Sequence, residues 1–233
     1  MKLIFVHGSG EWGGIWQKQL DYFENTEAIT LPGHPDGKLC KSVEEYAEWL
    51  RQHIESKGYN DVILTGHSLG GAIVMAYALK YPNDIKAIVL VDTGARLKVH
   101  LQYLAQLEEA VNGNPDRWVK WLRGLFRKHS PEEQAVIIQK YFEIGPQAQL
   151  NDLLCCDKFD VMDKVHEISV PTLVICGSED SLAPIKYTEY LAQKIPGAKK
   201  VIIEGAAHFV FFDKPDDFNK ALDGFIRSLG LDL

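Results

Sequence analysis

One serine of the sequence lies in a setting that suits a nucleophile. The segment Thr65-Gly66-His67-Ser68-Leu69-Gly70-Gly71 follows a predicted strand and opens a predicted helix, Gly71–Tyr81. In a Gly-x-Ser-x-Gly segment of this kind, a strained turn lifts the serine hydroxyl above a sheet, and the glycines let strand and helix approach each other. The pattern predicts that Ser68 is a nucleophile. The alternative is a glycine-rich turn whose serine only caps the helix.

A serine hydroxyl needs a base to take its proton, and eight histidines compete for that role. His208 follows the last predicted strand and precedes the C-terminal helix, in the loop zone where open α/β sheets place their ligand sites. We therefore predict His208 as the base. His67 adjoins the nucleophile and cannot easily bend back to it, and His34 suits a structural role in its loop better than a catalytic one. Four more lie in helical or cap patterns, which favours surface or packing roles: His53, His100, His129 and His166.

A carboxylate must hold the imidazole in the correct tautomer and stabilise its protonated form. Asp180 qualifies best, because it lies in Gly177-Ser178-Glu179-Asp180, the loop after a predicted strand, and gives the chain order Ser68, Asp180, His208. Asp92 ends the preceding strand and is the main competitor, followed by Glu179. The prediction is a Ser-His-Asp triad.

Attack of a serine on an acyl carbonyl creates an oxyanion, which backbone amides at fixed positions stabilise. The amide of Leu69 follows the nucleophile directly and lies at the positive end of its helix. The segment His7-Gly8-Ser9-Gly10 follows the first predicted strand and brings flexible backbone near the same turn. We predict the N–H groups of Ser9 and Leu69 as the oxyanion hole.

These residues need a sheet to position them, and the sequence predicts one. Short, continuous apolar runs alternate with helical patterns, which is typical of βαβ units and of parallel strands covered on both faces. The predicted class is α/β, with a mostly parallel sheet of about six strands and helices on both faces. The predicted strands are Leu3–Val6, Ala28–Leu31, Val62–Thr65, Ala87–Val91, Thr172–Cys176 and Lys200–Ile203.

One connection is far longer than a usual crossover, since 78 residues separate Asp92 from Pro171. We therefore predict an inserted helical cap at residues 95–169, and a core formed by residues 1–94 and 170–233. The cap has helical patterns at 99–111, 115–128, 131–143 and 147–156. Ser130-Pro131-Glu132-Glu133 marks the start of the third with a capping box.

Aromatic and apolar residues of the cap are candidates for lining a substrate pocket, and Trp121, Met162 and the core residue Phe209 are the predicted contacts. Periodicity does not separate pocket residues from core residues here, so a wider set stays open: Trp118, Leu122, Leu125, Phe126 and Phe142. We expect Trp12 and Trp16, near the N-terminus, to pack against other side chains rather than to border the entrance of the pocket.

The second cap helix carries Lys120, Arg123 and Arg127 at i, i+3 and i+7, which places them on one face. Two interpretations remain. The first is a solvated helix surface, and the second is a basic face near the pocket that attracts substrates with an anionic tail, such as acyl-CoA thioesters.

Composition excludes several classes of function. A formal charge of −7 without a basic block argues against a nucleic-acid partner. Apolar runs are too short for a signal peptide or a membrane span, so we expect a cytoplasmic protein with no membrane partner. The four cysteines lack C-x-x-C pairs and zinc-finger spacing, so we expect reduced thiols and no metal site. Oligomeric state is left open.

Four segments together resemble the signature loops of the α/β-hydrolase superfamily: His7-Gly8-Ser9-Gly10, Gly66-His67-Ser68-Leu69-Gly70-Gly71, Gly177-Ser178-Glu179-Asp180 and Gly205-Ala206-Ala207-His208. The resemblance covers residues 1 to about 94 and 170 to 230. It implies a mostly parallel sheet with a helical lid and carboxylesterase-like activity without a cofactor. The two N-terminal strands common in the superfamily have no counterpart before His7, but they belong to the sheet edge away from the triad.

The resemblance does not define one reaction, because this superfamily supports many chemistries. A serine at position 68 argues against relatives that use aspartate there, namely haloalkane dehalogenases and epoxide hydrolases. We favour hydrolysis of small carboxylic esters through an acyl-enzyme. A thioesterase, lactonase, C–C bond hydrolase, cofactor-free perhydrolase or acyltransferase is compatible with the same triad. A small-molecule receptor is the alternative from another class.

Overall fold

The structure is a computed structural model that describes residues 1–231. The last two residues of the predicted core, 232 and 233, lie outside the described part. Six parallel strands form one sheet in the order β2-β1-β3-β4-β5-β6, which confirms the predicted fold class. The strands are β1 Lys2–Val6, β2 Thr26–Ile29, β3 Val62–His67, β4 Ile85–Val91, β5 Thr172–Gly177 and β6 Lys199–Ile203.

Apolar layers cover both faces of this sheet, because alternate residues of each central strand point to opposite sides. Leu64 and Leu90 belong to the cluster that packs against α2 (Val43–Ser56) and α3 (Leu69–Lys80). Ile63 and Val89 belong to the opposite cluster, which includes the apolar face of the C-terminal helix. Burial on both faces explains why β3 and β5 read as continuous apolar runs.

The remaining α-helices include the four predicted for residues 95–169, whose ends differ from the prediction by up to three residues. They are α1 Gln17–Leu20, α4 Leu101–Val111, α5 Asp116–Leu125, α6 Pro131–Ile144, α7 Pro146–Lys158, α8 Ile185–Lys194, α9 Val210–Asp213 and α10 Pro215–Ser228. Short 3₁₀ helices occur at Gly13–Trp16, Pro82–Asp84 and Val165–Glu167. At α6 the predicted capping box is present, with Ser130 Oγ accepting from the Glu133 amide and the Glu133 carboxylate accepting from the Ser130 amide.

Four of these helices, α4 to α7, lie between β4 and β5, where the sequence predicts an insertion. We call residues 95–169 the inserted segment. It does not have a wholly separate core: Cys155, Cys156 and Phe159 pack in the same cluster as Leu64 and Leu90 of the sheet. Contacts between α7 and α3 bring the inserted segment directly over the helix that begins beside Ser68.

Candidate active site

Ser68 occupies the sharp turn between β3 and α3. Its backbone has φ 51° and ψ −112°, a region that is strained for a residue with a side chain. The Ser68 amide donates to the Val91 carbonyl at 2.9 Å. Glycine is required on both sides, because a Cβ at Gly66 would collide with the Gly70 carbonyl and one at Gly70 with the Val6 carbonyl. Helix α3 therefore begins at Leu69, two residues before the predicted start.

His208 and Asp180 meet across the loops that follow β6 and β5. His208 Nδ1 lies 2.9 Å from Asp180 Oδ2, and Asp180 Oδ1 accepts from the amides of Leu182 and Ala183 at 2.8 and 2.9 Å. Because a carboxylate only accepts, Nδ1 carries the hydrogen, which leaves Nε2 available as a base. The structure thus brings together the predicted base and the predicted acid.

Burial and the attraction between His208 and Asp180 act in opposite directions on the pKa of each side chain. Burial acts to lower the pKa of His208, but the charge of Asp180 and its hydrogen bond outweigh that effect and raise the pKa above the ordinary 6.5. Burial likewise acts to raise the pKa of Asp180, yet the charge and hydrogen bond of His208 leave it lowered. The arrangement favours a carboxylate beside an imidazole that readily becomes protonated.

Asp92, the competing acid, is fully buried and has other partners. Its Oδ1 accepts from the Gly177 amide and its Oδ2 from the Val210 amide, each at 3.0 Å. Burial, and then the charge of Asp180, raise the pKa of Asp92 well above its usual range. Asp92 therefore links the end of β4 to the last residue of β5 and to the first residue of α9. Glu179 is exposed and pairs with Lys128 at 2.8 Å.

The two amides predicted as an oxyanion hole are available. Within residues 1–231, the N–H groups of Ser9 and Leu69 donate to no other group. Ser9 and Ser68 line the same cavity. His7 holds the loop from below, since its Nε2 accepts from the Leu31 amide at 2.9 Å and its Nδ1 donates to the Gly8 carbonyl at 2.7 Å.

A buried cluster around Asp152 of α7 holds the same loop from above, and sequence reasoning missed it. Asp152 Oδ2 accepts from the Gly10 amide at 3.0 Å and from His34 Nε2 at 2.8 Å, and Oδ1 accepts from Tyr46 Oη at 2.8 Å. His34 Nδ1 faces the carbonyl oxygens of Leu31 and Pro32, so both ring nitrogens must donate. Although burial acts to lower it, the pKa of His34 is raised by Asp152. His34 has the structural role that its loop suggested.

The cavity beside Ser68 has a volume of about 300 Å³ and lies between the sheet loops and the inserted segment. Of the three predicted contacts, Trp121 and Phe209 line it, and so does Leu125 from the wider set. The prediction for Met162 is wrong: it packs beside the core cluster, and its carbonyl accepts from Tyr190 Oη of α8. Three other candidates, Trp118, Leu122 and Phe126, are fully buried in the core. Phe142 is exposed and does not line the cavity.

Trp16 packs as expected. Its ring is fully buried and stacks on Phe211 with a centroid distance of 3.7 Å. Helix α5 ends at Leu125, so Arg127 lies beyond it and does not share a helical face with Lys120 and Arg123 as predicted; Arg127 and Lys128 pair with Glu179 instead. Lys120 and Arg123 are exposed and are not part of the cavity wall. The anionic-tail interpretation stays a prediction.

Further features of the structure concern metal ions, membranes and cysteines. Among residues 1–231, no three side chains of His, Cys, Asp or Glu gather in a way that would hold a metal ion. Across the same residues, no helix has the length and apolar character to cross a membrane. All four cysteines are free thiols, and three of them are buried.

Comparison with known proteins adds independent findings. The model of the alpha/beta hydrolase family matches residues 3–221. A putative carbamate hydrolase RutD of Azorhizobium caulinodans is 25% identical, over 96% of this chain and 90% of the relative. A pimeloyl-[acyl-carrier protein] methyl ester esterase of Neisseria meningitidis serogroup B is 24% identical, over 97% of this chain and 93% of the relative. The solved structure of a thermophilic esterase is 33% identical, with a TM-score of 0.86, covering 98% of this chain and 90% of that one.

Proposed function

Because this chain belongs to the α/β-hydrolase family, we propose that it is a hydrolase of small carboxylic esters with Ser68, His208 and Asp180 as its catalytic triad. One observation carries the proposal. Ser68, on its strained turn, and His208, which is hydrogen-bonded to Asp180 at 2.9 Å, line the same cavity. Esterase names among the similar proteins support the reaction class.

The first half of the reaction forms an acyl-enzyme. Ser68 Oγ attacks the ester carbonyl carbon while its proton passes to His208 Nε2, and the carbonyl π electrons move onto oxygen. The amides of Ser9 and Leu69 donate to that oxyanion, and each such donor contributes about 2.7–4 kcal/mol of transition-state stabilisation. Asp180 stabilises the imidazolium through Nδ1. Collapse of the intermediate breaks the C–O bond, and His208 returns the proton to the leaving alcohol.

The second half repeats the steps with water. His208 takes a proton from water, hydroxide attacks the acyl carbon, and collapse releases the carboxylic acid as the proton returns to Ser68 Oγ. Every proton is accounted for by Ser68, His208 and water, so the proposed cycle uses no metal and no cofactor.

The inserted segment would act as the cap of this site, because residues from it, including Trp121 and Leu125, close the cavity above Ser68. A volume of about 300 Å³ is at the lower end for small-molecule pockets, which favours short acyl groups over long lipid chains. Thioesters and lactones follow the same acyl-enzyme chemistry and belong in the substrate panel. The cytoplasmic location stays a prediction, which cell fractionation would test.

Hydrolysis of p-nitrophenyl acetate and butyrate tests the proposal. We expect turnover by the wild type, its loss in Ser68→Ala, and its retention in Ser181→Ala, a matched control because Ser181 also lines the cavity. A fluorophosphonate probe should add its mass to the peptide that contains Ser68. Saturable binding of esters without turnover or labelling would instead favour the receptor interpretation.

A further inference from the structure

Glu11 is a carboxylate in the wall of the proposed active-site cavity, with an exposed fraction of only 2%. Its Oε2 accepts from the Gly8 amide at 2.8 Å and faces His67 Nδ1 at 3.1 Å. The catalytic steps described above do not use it. A buried carboxylate beside a nucleophile needs an explanation, because burial without full pairing is unfavourable.

Hydrogen-bond partners define how many protons Glu11 and His67 share. His67 Nε2 lies 2.8 Å from the His208 carbonyl, which only accepts, so Nε2 carries a hydrogen. One more proton then occupies the short contact between His67 Nδ1 and Glu11 Oε2. Whether it lies on the nitrogen or on the oxygen, the pair has no net charge. In both arrangements the other carboxyl oxygen, Oε1, remains a hydrogen-bond acceptor.

Two polar atoms of this wall have no protein partner. Within residues 1–231, Glu11 Oε1 and the hydroxyl of Tyr141 make no hydrogen bond, although Tyr141 has an exposed fraction of 1%. Both residues line the cavity, so these atoms differ from sealed polar atoms of the core such as Trp16 Nε1 and Thr65 Oγ1. Burial raises the pKa of Tyr141 well above its usual range, so its hydroxyl keeps its proton.

We propose that Glu11 Oε1 and Tyr141 form a polar subsite that accepts a hydroxyl group of the substrate, so that the preferred esters carry a hydroxyl close to the ester bond. This inference rests on the proposed esterase function and adds the substrate class. Glu11 accepts the hydroxyl hydrogen, and the Tyr141 hydroxyl is a second polar group facing the same cavity. A substrate without a donor would cover Oε1 and leave it unpaired, which is the basis of strong discrimination in sites built around a substrate hydroxyl.

The test is a matched series of esters. It compares methyl butanoate with methyl 2-, 3- and 4-hydroxybutanoate, with 2-hydroxyethyl butanoate, and with the methoxy analogue of the best hydroxy ester. We expect kcat/KM for at least one hydroxy ester to exceed that for the parent by about 10- to 100-fold, the range for a hydrogen bond to a charged or buried acceptor. Its methoxy analogue should lose that advantage, because it has no hydrogen to donate.

Variants assign the preference to the subsite. The ratio of kcat/KM for the best hydroxy ester to kcat/KM for its methoxy analogue should fall towards one in Glu11→Gln, because the new NH₂ group donates to a hydroxyl and to an ether oxygen alike. The same ratio should decrease in Tyr141→Phe and stay at the wild-type value in Glu143→Gln, which removes an exposed carboxylate of α6. Using a ratio cancels any general loss of activity. If Glu11→Gln does not fold, the comparison of hydroxy with methoxy esters in the wild type still tests the proposal. The proposal is overturned if no hydroxy ester is preferred, or if the preference over the methoxy analogue survives Glu11→Gln.

A binding measurement separates this inference from the proposed function. Calorimetric titration of Ser68→Ala with butanamide and the hydroxybutanamides measures the subsite without any hydrolysis. Tighter binding of a hydroxybutanamide, lost in Ser68→Ala/Glu11→Gln, supports the subsite even if no ester is turned over. Equal binding of all the amides refutes it, even if the protein proves to be an esterase.

Discussion

Replacing Asp180 with asparagine tests how the proposed acid controls His208. Asp180 Oδ1 accepts from two backbone amides, those of Leu182 and Ala183, whereas Oδ2 faces His208 Nδ1 at 2.9 Å. The asparagine oxygen will therefore stay on the side of the two amides, since reversing it would leave both unpaired at about 1–3 kcal/mol each. The new NH₂ group then faces His208 Nδ1. That nitrogen must accept, so the hydrogen moves to Nε2, where it prevents His208 from taking the Ser68 proton.

This tautomer change corresponds to a loss of about 10⁴ in kcat, or about 5.5 kcal/mol of transition-state stabilisation at 1.36 kcal/mol per tenfold. Folding should change little, because each polar atom of the introduced asparagine side chain still has a hydrogen-bond partner. The assay is kcat on p-nitrophenyl butyrate, paired with the free energy of unfolding from urea titration.

Asp92→Asn is the matched control. Both Asp92 oxygens accept a backbone amide, so an asparagine there leaves one amide unpaired and lowers the free energy of unfolding by about 1–3 kcal/mol. We expect its kcat to fall by less than about tenfold, because Asp92 makes no hydrogen bond to His208. If Asp92→Asn loses far more kcat than Asp180→Asn, the assignment of the acid is wrong.

Four further predictions use the same assays. Ser68→Ala and His208→Ala should each lower kcat by a factor on the order of 10⁶, with the double variant hardly worse, and retention of a tenth of the activity in Ser68→Ala would rule out that nucleophile. Only neutral His208 can accept the proton, and the pKa of His208 is raised, so kcat/KM should fall on acidification with an apparent pKa above 6.5. Asp180→Asn should move this acidic limb of the pH profile to lower pH, and an unmoved limb would show that another group titrates. The free energy of unfolding should be about 1 kcal/mol higher for Ser68→Gly than for Ser68→Ala, since glycine relieves the strain at φ 51°. A glycine variant less stable than the alanine variant would contradict that strain. If the basic face of α5 guides anionic tails, Lys120→Glu/Arg123→Glu and added salt should lower kcat/KM for an acyl-CoA more than for a neutral ester of equal chain length, and equal effects would leave this face as a solvated surface.

Local patterns in the sequence determined the fold and the proposed triad. Parallel strands covered on both faces need continuous apolar runs, and each run lies within a few residues of its observed strand. The nucleophile turn is also local, because Gly66, Ser68 and Gly70 meet a steric requirement within five residues of chain. His208 and Asp180 were identifiable because loops after parallel strands converge at one edge of the sheet, whatever their separation in sequence.

Only the tertiary structure decided which side chains complete the site. Gly10 and Asp152 are 142 residues apart, and no periodic pattern links them. The contact of Glu11 with His67 likewise depends on how the loop after β1 packs beside β3. Met162 and Trp121 are both apolar residues of the inserted segment, yet one packs near α8 and the other lines the cavity. Hydrophobicity determines that such residues are buried, but the packing of helices from distant parts of the chain determines which surface they cover.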